Sequence, residues 1–129
     1  MPDVPRVDDT IKQGAPWDLF MTIKDDNGAP VNLTGYKGRM QIREAPNGDL
    51  IVELTTTTQP SGFSAGNGKM VLGGAAGTIA STLTKADTAA LAFERATYDL
   101  FLFDGADLPI PIIEGILTLD PQVTTTVAP

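Results

Sequence analysis

The chain has no cysteine and no histidine. Without cysteine there is no disulfide, no thiolate metal ligand and no thiol nucleophile. Without histidine there is no imidazole base or ligand, and no switch of charge near neutral pH. Positive charge is also scarce: 9 Lys and Arg stand against 16 Asp and Glu, a net charge of −7. Nonspecific nucleic-acid binding needs clustered cations to neutralise phosphates, so this balance argues against it. No apolar run approaches the ~20 residues of a membrane-spanning helix. The segment Met1 to Arg6 lacks the basic-then-apolar order of a secretory leader, which sets the expectation of a protein made and kept, or assembled, in a cytoplasm. A length of 129 residues fits one domain with a core of its own.

What is present is a period of two. From Tyr36 to Glu44, residues Tyr36, Gly38, Met40 and Ile42 share one parity and Lys37, Arg39, Gln41 and Arg43 the other. That is a strand with one buried and one wet face. The same grammar predicts strands over 16–25, 49–55, 70–72, 78–83, 97–103 and 113–120, the last with a start near Pro109. Asp25-Asp26-Asn27-Gly28, Ala45-Pro46-Asn47-Gly48 and Asp104-Gly105 supply turns. Residues 56–69 read as a loop, and Gly73–Gly77 as a flexible connection. Thr84 with Asp87 three residues on is a near capping box, and the alanines after it favour one or two helical turns. Pro109 and Pro111 place the start of the last strand at a sheet edge.

Seven or eight short antiparallel strands with one short helix predict an all-β, Ig-like β-sandwich, with a closed barrel as the second choice. The absence of crossover helices argues against a parallel α/β sheet. The division expected is 1–14 as an extended N-terminal arm without periodicity, 15–120 as the sandwich domain, and 121–129 as a Thr-rich C-terminal tail. Trp17, Met40, Ile42, Tyr98 and Leu100 are the expected core.

No catalytic, cofactor-binding or metal-ligating set emerges. Asp18, Glu44, Glu53, Asp99 and Glu114 could pair for acid–base work, but they fall on the solvent side of strands or near strand ends, where acids serve solubility. Asp25-Asp26-Asn27-Gly28 lacks the alternating ligands and distal Glu of a calcium loop. The glycine-rich stretches lack the Lys-Ser/Thr and helix of a phosphate cradle. Asn32-Leu33-Thr34 fits the glycosylation triplet but has no consequence without secretion. Ser61, Ser64 and Ser81 have no base to activate them.

Two surface features remain. Lys37, Arg39 and Arg43 line one strand face, either as a wet face balanced by acids across the sheet or as a strip docking an acidic partner. Phe20, Phe101 and Phe103, with Ile51 and Ile116, have the parity of outward residues, and an outward apolar cluster is seldom tolerated by a monomer. The edge from Leu108 to Ile113 is a second docking candidate. The interface set expected is therefore Phe20, Lys37, Arg39, Arg43, Phe101 and Phe103.

The order of pieces resembles a known family. Trp17 and its strand are followed by Gly28, Val31 and Leu33-Thr34-Gly35-Tyr36, then by a strand ending in Ile42-Arg43. Gly77 and Ile79 precede the Thr88–Leu91 helix. Tyr98-Asp99-Leu100, Glu114-Gly115 and Gln122-Val123-Thr124 come after it. From about Trp17 to Thr125 this is similar to the small Ig-like structural modules of tailed bacteriophages, in particular the N-terminal domain of upper baseplate proteins. The resemblance implies a non-enzymatic virion component docking onto capsid, neck or baseplate proteins and onto copies of itself, with no cofactor, nucleic acid or membrane. The long C-terminal extension of upper baseplate proteins does not follow here, which widens the expectation to a stand-alone adaptor or capsid decoration protein. The alternative from another class is a carbohydrate-binding or adhesin module, which needs exposed aromatic side chains in a polar groove.

Overall fold

The computed structural model describes residues 5–45 and 48–121. The tail after Pro121 therefore lies outside the described residues. Among the described residues, eight strands run in the order β1 (Asp9–Lys12), β2 (Trp17–Thr22), β3 (Lys37–Arg43), β4 (Leu50–Thr55), β5 (Met70–Leu72), β6 (Thr78–Leu83), β7 (Arg95–Phe103) and β8 (Pro109–Asp120), with helix α1 (Lys85–Ala89) between β6 and β7.

They form two sheets. A five-stranded front sheet has the order β1-β8-β7-β3-β4, and a three-stranded back sheet the order β2-β6-β5. All pairings are antiparallel except β1 with β8. This is the sandwich arrangement of an Ig-like domain, with β4 added beyond β3 and β1 laid along the last strand. Both sheets are open, so the barrel alternative fails.

The period of two does what it predicts. In β3, buried Gly38, Met40 and Ile42 alternate with half-buried Lys37, Arg39, Gln41 and Arg43. In β7, Ala96, Tyr98, Leu100 and Leu102 turn inward. Trp17, Met40, Ile42, Tyr98 and Leu100 all lie in one apolar cluster between the sheets. No covalent bridge crosses it, so burial of these side chains carries the sandwich.

Two bulges disturb the parity. Ile42 pairs with Val52 and Arg43 with Leu50, which leaves Ile51 as an extra residue. Ile51 consequently packs against the core instead of standing outward as its parity implies. Ile112 is the corresponding extra residue of β8, between the pairs Leu100–Ile113 and Phe101–Pro111. The bulge lies beside Pro111, which cannot donate to a ladder.

Part of the stretch read as an extended arm, 1–14, joins the front sheet. Asp9–Lys12 is a strand, in register with Leu117–Asp120, and Ile11 is fully buried. Ahead of it, the Val7 N–H donates to Glu114 O at 2.9 Å and the Glu114 N–H to Pro5 O at 3.1 Å. The start of β8 has no strand on its second side among the described residues, as its prolines foretell, but from Glu114 onward β8 is central.

The capping box is complete. Thr84 Oγ1 accepts from the Asp87 N–H, and Asp87 Oδ2 from the Thr84 N–H. Thr88, within α1, accepts the Gly14 N–H at 3.0 Å and donates to Ala15 O at 2.8 Å. The helix thereby fixes the turn between β1 and β2.

Candidate functional site

The outer face of the front sheet collects most of the residues singled out in the sequence. Cross-strand register sets Asp99 between Glu114 and Gln41, Phe101 between Pro111 and Arg39, and Phe103 between Pro109 and Lys37. Between them lies a concave depression of about 700 Å³, lined by Arg43, Asp99, Phe101, Pro111, Glu114 and Ile116 among others.

The basic strip on this face is largely occupied from within. Lys37 Nζ lies 2.6 Å from Asp107 Oδ1. Asp107 holds a left-handed φ of 64°, and its other oxygen accepts the Ser61 N–H at 3.2 Å. Lys37 first, and Ser61 second, keep the Asp107 carboxyl below the usual range. Arg39 pairs with Glu53 and donates to Gln59 Oε1 at 3.0 Å. Its guanidinium also lies 4.3 Å from the centroid of the Phe63 ring. Phe63 in turn meets Phe103 with ring centroids 6.1 Å apart. Arg43 donates to Gln41 Oε1 and, at 2.8 Å, to Gly48 O. Those acceptors are neutral, and the charge that Arg43 acts on across this face is the Asp99 carboxylate. Of the two readings of the strip, Lys37 and Arg39 thus follow the balanced one.

The acids on the same face are less settled. Asp99 and Glu114 stand directly opposite each other. Neither carboxylate makes an ion pair within 4.0 Å among the described residues. Burial first, and Glu114 second, push the Asp99 carboxyl above the usual carboxylate range, against the pull of Arg43.

Tyr98 is buried on the inner face of β7. Its hydroxyl donates to Val7 O and so fastens the arm. Burial, then Asp9 and Asp8, push the phenol up to about 12. Sequence reasoning missed this contact because its two residues are 91 apart in the chain.

Phe20 is elsewhere. It stands on the outer face of the back sheet, 64% exposed. Ala80 is the cross-strand partner of both Phe20 and Val71, so the three form one apolar row. Val71, 62% exposed, is an apolar surface residue that the sequence reading placed in a short strand without assigning it a face. The structure thus keeps Phe20 apart from Phe101 and Phe103, on opposite sides of the sandwich. Trp17 is buried, and its Nε1 donates to Asp9 Oδ2 at 3.0 Å. Ser81 is buried too, with its Oγ lacking a partner among the described residues. Among the described residues no three acids gather where they could hold a metal ion.

No family model matches the chain, and no curated protein matches it. Solved structures do. The NK cell receptor Nkp44, a triggering partner in natural cytotoxicity, is 11% identical over 92% of this chain and 100% of its own, with a TM-score of 0.49. A structure from work on multimeric cell-adhesive interactions of VGSC β subunits is 10% identical over 92% of this chain and 93% of its own, with a TM-score of 0.46. Extracellular domains 3–5 of Drosophila OTK are 20% identical over 92% of this chain and 33% of their own, with a TM-score of 0.38. Likenesses this shallow say nothing of partner or activity.

Proposed function

We propose that this chain is a non-enzymatic docking module, and that its setting is the virion of a tailed phage, assembled in the host cytoplasm. One observation carries the docking role: large apolar side chains stand exposed on the outer face of the back sheet and at one end of the front sheet. Phe20 and Val71 project from the back sheet at 64% and 62%, and Leu108 and Phe63 at one end of the front sheet at 61% and 49%. A solitary soluble domain gains nothing from such residues, whereas a contact with another protein buries them. The virion setting rests on the ordered resemblance from Trp17 to Thr125.

Burial of Trp17 counts against a sugar-binding groove, since it removes the one indole that could stack on a ring. The depression over Phe101 is the front-face contact in this reading, with Phe101 its apolar floor and Asp99 and Glu114 its polar wall.

Mass spectrometry of purified particles tests the setting. The chain is expected at a fixed ratio to the major capsid or tail protein, and its absence from intact particles overturns the virion reading. Phe101→Ser tests the docking role. The variant is expected to fold as a soluble domain and to lose incorporation. Unfolding of the lone domain would show that Phe101 belongs to the core.

A further inference from the structure

We infer that β2 is a self-docking edge, along which a second copy of this chain adds antiparallel from Asp18 to Lys24 and joins two back sheets into one.

The backbone shows which groups are free. β2 is the end strand of its sheet. The Ile23 N–H donates to Gly77 O at 2.8 Å, and Ile23 O accepts the Val31 N–H at 2.9 Å. The register runs unbroken from there through Met21–Ile79 and Leu19–Ser81 to Trp17–Leu83. Antiparallel ladders alternate, so the odd residues bond inward and Asp18, Phe20, Thr22 and Lys24 turn their N–H and C=O groups outward. Lys24 bridges to Pro30, but through the bonds of its neighbours Ile23 and Asp25; no strand meets the outward groups among the described residues, and all four residues are exposed.

Two other edges are guarded. Asn67 covers β4, taking the Thr55 N–H at 3.1 Å and donating to Glu53 O at 2.6 Å. Pro109 and Pro111 blunt the start of β8. β2 has neither proline nor bulge, and such an edge is a template for pairing. Its charges stand only at its ends, and they differ in sign.

That asymmetry makes the edge complementary to itself. Two copies related by a two-fold axis at Met21 set Asp18 opposite Lys24 of the second copy, and Phe20 opposite Thr22. Every outward backbone group then falls in a hydrogen-bonded pair. The Asp18–Lys24 attraction occurs twice, and no like charges meet. The rows Phe20–Ala80–Val71 of the two copies become one apolar strip, with the two Phe20 rings as diagonal neighbours. The contact needs only a second copy, so it goes beyond the virion reading and stands whether or not that reading does.

Sedimentation equilibrium of the full chain, from micromolar to millimolar, tests it. A concentration-dependent dimer is expected. Asp18→Lys or Lys24→Asp alone should weaken it by about tenfold, because two attractions become two repulsions. The double variant Asp18→Lys/Lys24→Asp should restore it. Asp18 also accepts from Thr82 Oγ1 at 3.0 Å, so thermal melts of each variant verify the fold. A monomer at every concentration overturns the proposal. So does a dimer indifferent to the single reversals, or a double reversal without rescue.

Discussion

Gly115→Ala probes the N-terminal arm with one methyl group. Gly115 lies where β8 passes under the arm, and a Cβ there would fall on the Val7 carbonyl, with Val7 C only 2.7 Å away. Its backbone conformation is open to any residue, so the effect is steric alone. The obstacle is backbone, which cannot swing aside as a flexible side chain does. Displacing Val7 removes the Val7–Glu114 and Glu114–Pro5 backbone bonds, the Ile116 N–H to Asp8 Oδ1 bond at 2.8 Å, and the Tyr98 hydroxyl bond. At about 1 kcal/mol net for each, partial to complete loss costs roughly 2–4 kcal/mol, a large share of the ~5–15 kcal/mol that holds a typical domain. Urea unfolding measures the loss, and hydrogen exchange at the Val7 and Glu114 amides locates it. Gly105→Ala is the control: a Cβ there meets nothing within 4 Å, and the expected change is within ~0.5 kcal/mol. If the two variants unfold alike, the arm is not held by β8 and the reasoning is wrong.

Asp99 has a folded pKa above its unfolded one, so its ionisation opposes folding, and stability falls as pH rises through the folded pKa. Asp99→Asn should therefore be more stable than the parent at about pH 7 and indistinguishable from it near pH 3, where both are neutral; denaturant midpoints at the two pH values decide. Thr84→Ala removes the acceptor for the Asp87 N–H and should cost ~1 kcal/mol in the same assay. Lys69 first, and the Thr84 N–H second, hold the Asp87 carboxyl low. Its contribution is accordingly present above the ordinary carboxylate pKa and lost as pH falls through the folded value, and Thr84→Ala, which keeps the Thr84 N–H and Lys69, should retain that pH dependence.

The strands were legible because alternation is a local signal. Met40, Ile42, Tyr98 and Leu100 declare their side from their immediate neighbours, and Phe20, Phe101 and Phe103 declare the other. β1 was not legible. Asp9-Thr10-Ile11-Lys12 carries one apolar residue, and what makes it a strand is a parallel partner more than a hundred residues later. Bulges hid the place of Ile51, because one inserted residue reverses parity without leaving a mark in composition. The fate of the basic strip was half legible. Glu53 sits on the neighbouring hairpin strand, where a partner for Arg39 is expected. Asp107 reaches Lys37 from a loop 70 residues away, which no local pattern discloses. The depression arises from register between distant strands, and the sequence offers no sign of it.

The parallel seam between β1 and β8 also constrains how the molecule is made. Asp9 to Lys12 have no ladder until Leu117 to Asp120 have been translated. A nascent chain on the ribosome must carry Ile11 unsheltered until that last strand has emerged. Closure is then a late, non-local step of high contact order, and such topologies fold slowly.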